Sequence, residues 1–223
     1  MLPRPQFNMN EALSFGWKTT IDNWKFLIPV SFVYVLISAI SEGLNAKQQN
    51  TPSTFFIFLL SAALTIFLAA GSTRIGLAYI DGHTPEWSMF WTTPINRLLT
   101  LFAVMIIVIT AYFIGLIPLI IPGIYISMYL SQAQYLVIDT NGTVGEALKR
   151  SGQLTRGVKL SLFSFALICS AIAIAGILCL VVGILVALPV IALAQISVYR
   201  QLVASISEPI EVSQIAVEAP LVV

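Results

Sequence analysis

The chain has 223 residues, 58% of them hydrophobic and 9% charged, with a formal net charge of +1. An ordinary soluble domain carries about 25% charged residues, so this composition, with a mean hydropathy of +0.93, excludes a water-solvated globule and requires a lipid solvent. A charge at mid-bilayer costs roughly 2.5 to 3.5 kcal/mol, so the charge-free stretches 26–41, 48–73, 98–138 and 160–199 predict where the chain crosses.

In chain order, Met9, Leu13, Trp17, Ile21 and Trp24 fall at helical spacing and predict an amphipathic helix over 8–24, with Asn8 and Glu11 placed as a capping box. Its acidic Glu11 and Asp22 suit an anchor that stays rather than a cleavable leader. A first span follows at about 24–43, with Trp24 and Lys25 snorkelling to the headgroups, and a second at about 53–73. A polar segment, 86–97, carries Trp87, Phe90 and Trp91. The 41 residues of 98–138 would make about 60 Å of helix, twice the hydrocarbon thickness, so they predict a hairpin. Its spans are about 98–118 and 122–138, turning where Pro118 and Pro122-Gly123 break the helix.

The segment before the next span repeats the first. Thr143 and Glu146 form a second capping pair, Val144, Ala147, Leu148, Leu154 and Val158 share a face, and Glu-Ala-Leu recurs at 11–13 and 146–148. The 40 residues of 160–199 predict another hairpin, with spans at about 160–181 and 184–204 and Gly183 and Pro189 as weaker breakers. Residues 1–206 therefore form one membrane domain, and 207–223, with Glu208, Glu211, Glu218 and no basic residue, a disordered acidic tail.

The expected fold is all-α and polytopic, six transmembrane helices in three hairpins. The polar segments are either cytoplasmic interfacial helices lying in the headgroup plane or polar loops that happen to be helical. Ten of the 11 Lys and Arg residues, all but Lys47, then fall on one side, which puts both termini in the cytoplasm. Trp17, Trp24, Trp87 and Trp91 fall at the same interface as anchors. Cys169 and Cys179, about 15 Å apart along one helix, are too distant for a disulfide.

Catalytic chemistry needs clustered donors, and the only histidine, His83, has just Asp81 and Glu86 nearby, so no metal site, cofactor or catalytic residue is expected. No phosphate loop, nucleophile elbow or intramembrane carboxylate pair occurs. Arg74 follows Gly71-Ser72-Thr73, with Asp81 two helical turns on; it either clamps an anionic headgroup or solute, or snorkels and sets topology. Gln132, Gln134 and Gln195 need partners in lipid and should face the bundle interior, bonding between helices or lining a path. Arg200, closing the last apolar stretch, completes the candidate contacts.

Several blocks together carry a resemblance: Ile121-Pro122-Gly123-Ile124-Tyr125, the run Ala133-Gln134-Tyr135-Leu136-Val137-Ile138-Asp139, then Glu146-Ala147-Leu148-Lys149-Arg150-Ser151, Leu154-Thr155-Arg156-Gly157, Glu11-Ala12-Leu13 and Gly16-Trp17. In these the chain resembles uncharacterised six-span bacterial inner-membrane proteins, and the membrane domain fused to some bacterial glycerophosphodiester phosphodiesterases. The family usually carries an aromatic residue after the Ser of its second Glu-Ala-Leu helix, where this chain has Gly152. The resemblance implies an inner-membrane location and a shared fold. It implies no activity, because the chain has no room for the soluble phosphodiesterase domain.

The expected function is that of a non-enzymatic scaffold or accessory protein engaging membrane lipids, and a protein partner or a second copy of itself, with no nucleic acid. The alternative is a small transporter or channel for a lipid or amphiphilic solute.

Overall fold

The computed structural model describes residues 5–47, 52–116, 120–140 and 142–218. They form helices α1 (Met9–Asp22), α2 (Trp24–Lys47), α3 (Pro52–Ile80), α4 (Ser88–Trp91), α5 (Ile95–Leu116), α6 (Ile120–Leu130), α7 (Ala133–Asp139), α8 (Val144–Leu154), α9 (Lys159–Leu178) and α10 (Leu180–Glu218), with no strand among the described residues. The chain is thus all-helical. Three helices are long and apolar enough to cross a membrane, within Leu60–Ile80, Lys159–Leu178 and Gly183–Ile206. A fourth crossing appears if α1 and α2, bent by 99° at Asn23, count as one.

The helix boundaries depart from the expected spans for local reasons. The predicted span 122–138 is two helices, because the chain breaks at Ser131-Gln132. There the Ser131 hydroxyl donates to the Met128 carbonyl at 2.9 Å, offering the backbone an alternative to the helical ladder. The turn expected from Pro118 falls at 117–119, outside the described residues, while Pro122 and Gly123 lie in the first turn of α6, where proline is tolerated. α9 and α10 part at Cys179 rather than at Gly183. Gly183 packs instead against Gly176: a Cβ on Gly176 would lie 2.8 Å from the Ala187 Cβ and 3.0 Å from the Gly183 carbonyl, so this pair sets the closeness of the hairpin. Pro189 is accommodated within α10. α3 runs on to Ile80, which places Arg74 inside the helix, and the segment 86–97 holds only the single turn α4. Finally, α10 continues through 207–218, where composition predicts disorder; once a helix is nucleated, each added residue costs little.

α10 is the central helix. Half of its most apolar part is buried within the protein, against 28% for α3 and 22% for α9, so it is the most enclosed of the three membrane-length helices. Ile196, Ser197, Val198 and Tyr199 are buried in succession, which a helix with one wet or lipid-facing side does not allow. Tyr199 and Leu202 sit among Tyr135, Leu136 and Val137 of α7 and Phe165 of α9 in the main core.

α1 lies along α10. Ala12, Gly16 and Thr20, one turn apart, form its buried stripe, and a Cβ on Gly16 would collide with the Val190 carbonyl of α10. Met9 and Leu13 reach the core, but Trp17 and Ile21 stay exposed, so the face that docks is the small one and not the large apolar one. The cap differs from its sequence signature in the same way. Asn8 accepts from the amides of Asn10 (3.0 Å) and Glu11 (3.4 Å), but its own amide donates to Gln201 of α10 at 2.6 Å, where a capping box would use Glu11. In α8 the capping box of Thr143 and Glu146 forms completely, and Ala147, Ser151, Gly152 and Leu154 are buried against the bundle.

Two outcomes follow from these contacts. Gly16→Val should destabilise the α1–α10 seam by about 1 to 3 kcal/mol through overpacking, raising hydrogen exchange across Met9–Asp22, while Ser14→Val on the exposed side of α1 should leave exchange unchanged. The hydrogen bonds from Thr143 lower the Glu146 pKa below its ordinary 4.5. The ionised carboxylate is the form the cap uses, so the cap is complete above pH 4.5 and is lost as pH falls through the lowered value. Protection factors of the amides at 143–147, corrected for intrinsic exchange, should fall in that acidic window, and Glu146→Gln, which removes the titrating carboxylate, should abolish the pH dependence.

Candidate functional site

Two runs of more than 35 residues without a charge end at Asp139 and Arg200, and folding brings these two ends together. Arg200 donates through Nη1 to Asp139 Oδ2 at 3.2 Å, and its Nη2 lies 3.2 Å from Asp139 Oδ1, a bidentate ion pair. Nη2 also reaches Asp81 Oδ2 at 2.6 Å. The Tyr199 hydroxyl donates to Asp139 Oδ2 at 2.7 Å. Side-chain exposure is 27% for Arg200, 19% for Asp139 and 41% for Asp81, so the pairs are only partly desolvated. One guanidinium in the middle of α10 thereby ties the ends of α3 and α7. At the same end of α7, Arg97 donates through Nη1 to the Ile138 carbonyl, satisfying an acceptor that the helix terminus leaves free.

Along the bundle from this cluster, the Tyr135 hydroxyl donates to Gln195 Oε1 at 2.9 Å, and the Tyr135 ring lies 5.6 Å from that of Tyr199. Tyr135, Gln134 and Gln195 line two clefts at once. One, about 430 Å³, lies among α5, α6, α7, α9 and α10; the other, about 300 Å³, lies among α2, α3, α7 and α10. The remaining walls are mostly aliphatic, from residues such as Val104, Val108 and Leu162 on one side and Leu27, Leu68 and Leu193 on the other. Gln132 faces the first cleft; its Nε2 donates to Ser131 Oγ at 3.1 Å, while its Oε1 is buried without a partner. Such an acceptor costs free energy until something donates to it.

Of the sequence candidates, Gln132, Gln134 and Gln195 therefore share one region, and Asp81 and Arg200 pair in another. Arg74 joins neither. Its Nη1 donates to the hydroxyls of Thr92 (3.2 Å) and Thr93 (3.4 Å), tying α3 to the turn after α4. Asp81, two helical turns on from Arg74 in sequence, lies beyond the end of α3 at Ile80 and pairs with Arg200. Trp17, Trp24 and Trp87 are more than half exposed, with Trp87 stacked 4.3 Å from Phe26; the Trp91 side chain lies outside the described residues. Among the described residues no group of three or more His, Cys, Asp or Glu could hold a metal, and both cysteines are free. Asp139, Tyr135 and Tyr199 were not candidates in the sequence. The available signal was the position of Asp139 as the first charge after a long apolar run, at the same depth as Arg200.

The fold and these contacts define a helical protein with several membrane-length apolar helices, a partly buried ionic cluster and two apolar clefts. No protein-family model, no curated protein and no solved structure matches the chain.

Arg200→Met would leave both Asp81 and Asp139 without their cation. Breaking a fully buried pair costs roughly 3 to 5 kcal/mol, and the residual solvent here reduces that to about 2 kcal/mol. In micelles, thermal unfolding should show the order Arg200→Met most destabilised, then Asp139→Asn, then the more exposed Asp81→Asn. Equal effects of the two aspartates would contradict the bidentate assignment.

Proposed function

We propose that this chain is an integral protein of the bacterial inner membrane without catalytic activity, a scaffold or accessory component that holds lipid or a partner against a fixed helical frame. Six crossings in three hairpins with both termini cytoplasmic belong to the same proposal. In it α5 supplies one crossing, α6 with α7 the next, and the basic residues gather on one side. The observation that carries the proposal is the cluster at Arg200. A guanidinium in the middle of α10, paired with carboxylates at the ends of α3 and α7, holds the three helices in one arrangement. A scaffold needs such a lock, whereas a carrier that alternates its access must undo it. The clefts agree with this, because aliphatic walls suit acyl chains and offer few hydrogen bonds to a polar cargo. The resemblance to six-span inner-membrane proteins is part of the proposal and supports the same location.

A second reading, passage of a lipid or amphiphile, is favoured by one observation. Gln134, Tyr135 and Gln195 face both clefts, and the Tyr135–Gln195 hydrogen bond is the partition between them.

The test is to isolate the chain in native lipid nanodiscs and identify co-purifying lipids and proteins by mass spectrometry, for wild type, Arg74→Ala and Tyr135→Phe. A lipid or protein retained at constant stoichiometry, unaffected by Arg74→Ala, together with no transfer of a fluorescent phospholipid across proteoliposomes above the protein-free rate, is the outcome expected of a scaffold. Transfer by the wild type, accelerated several-fold in Tyr135→Phe, would replace the scaffold with a transporter.

A further inference from the structure

We propose that the pocket formed by α6, α8 and the start of α9 binds the phosphate of an anionic phospholipid headgroup. A cavity of about 570 Å³ opens there, and Lys149, Arg156 and Lys159 border it together with Tyr125, Tyr129 and Gly152. The three cations come from one short stretch of chain, yet among the described residues none lies within ion-pair distance of a carboxylate; both ion pairs belong to Arg200. The single acid of α8, Glu146, is engaged at the N-cap, where its carboxylate accepts from the Thr143 amide at 2.7 Å. Three like charges around one cavity repel each other, and an anion in their midst removes that repulsion.

The pocket is held in shape before any ligand arrives. The Lys159 Nζ lies 3.2 Å from the centre of the Tyr125 ring and 5.1 Å from that of Tyr129, so two aromatic faces position the ammonium. Tyr129 is itself fixed to α8: its carbonyl accepts from Ser151 Oγ at 2.8 Å and from Thr155 Oγ1 at 3.5 Å. Its ring lies directly on Gly152, where a Cβ would overlap the ring atoms. An aromatic from α6 thus fills the space over Gly152. Arg156 adds a planar fork of donors, the geometry that suits phosphate oxygens.

The surroundings select a lipid rather than a soluble anion. Leu160, next to Lys159 in the first turn of α9, a helix apolar enough to cross the membrane, is 79% exposed, and Tyr125 of α6 is 59% exposed. A cationic pocket bordering an exposed apolar helix face matches the junction of headgroup and acyl chain. The site is separate from the two interior clefts and depends on the proposed membrane topology only for the depth of Leu160.

The full chain in dodecyl maltoside micelles is titrated with dioleoyl phosphatidylglycerol, with dioleoyl phosphatidylcholine, and with phosphatidylglycerol in the presence of inorganic phosphate, bound lipid being counted by native mass spectrometry. Phosphatidylglycerol should bind in preference to phosphatidylcholine. Lys149→Gln, Arg156→Gln and Lys159→Gln should each weaken it about fivefold, which is about 1 kcal/mol per cation at 1.4 kcal/mol per tenfold, and the triple variant about 100-fold. Lys18→Gln, which removes an exposed cation on α1, should change nothing. Gly152→Ala alters no charge but displaces Tyr129, so it should weaken binding as well; unchanged binding in that variant would reduce the site to diffuse attraction and overturn the pocket. Circular dichroism identifies any variant that loses helicity, and the single variants then carry the test. Equal affinity for the two lipids, or a triple variant that binds like wild type, also overturns the proposal. Displacement of the lipid by millimolar phosphate would assign the pocket to a free anion and refute the lipid source. Cleft occupancy is scored on Tyr135→Phe and the headgroup site on the cation variants, so the two proposals fail independently.

Discussion

A charge in the middle of a largely buried helix has to be neutralised inside the protein, and this constraint organises the structure around α10. Ile196 to Tyr199 are buried in succession, and the next residue is Arg200. Its guanidinium meets Asp139 at the end of α7 and Asp81 just beyond α3, and Tyr199 adds a hydroxyl to the same carboxylate. Three segments distant in sequence are thereby brought to one depth. Arg97, bound to the Ile138 carbonyl, brings the start of α5 to that end as well. The pairs retain some solvent, so their contribution to stability is modest, and their larger effect is on register. Sliding α7 against α10 by one turn would separate Asp139 from Arg200 and Tyr135 from Gln195 together.

From that frame the rest of the molecule follows by close packing of small residues. α1 seats on α10 through Ala12, Gly16 and Thr20, and α9 closes on α10 through Gly176 and Gly183. Small residues let helix backbones approach closely, and that close packing is a general source of association between apolar helices. Large residues are correspondingly displaced outward: Trp17, Trp24, Leu160 and Leu178 are all more than half exposed. Where larger side chains line the interior, between α5 and α9 and between α2 and α3, the helices stand apart and clefts remain. The same contrast shapes the pocket at α8, since Gly152 lets the Tyr129 ring lie against the helix while, among the described residues, no carboxylate lies within ion-pair distance of the three cations around it.

Much of this was legible in the residues. The helical class follows from charge-free runs too long and too apolar for a soluble domain, and the capping box at Thr143 and Glu146 follows from local geometry that needs only four residues. The inward-facing glutamines follow from the cost of an unpaired amide in lipid. The partners of each polar group were not legible. Glu11 has the right spacing to cap Asn8, yet Gln201, 193 residues away, takes that amide. Arg74 and Asp81 have the right spacing to share a helical face, yet each bonds to a different element.

The sequence by itself therefore determined the apolar character of the long helices, the helical class and the capping of α8, because these depend on composition and on interactions within one or two turns. Tertiary structure decided where helices break and which charges meet. It also decided which face of α1 docks and where cavities open. Those outcomes depend on competition between distant groups for the same hydrogen bond or the same space. A spacing rule sees only one competitor, and folding compares them all.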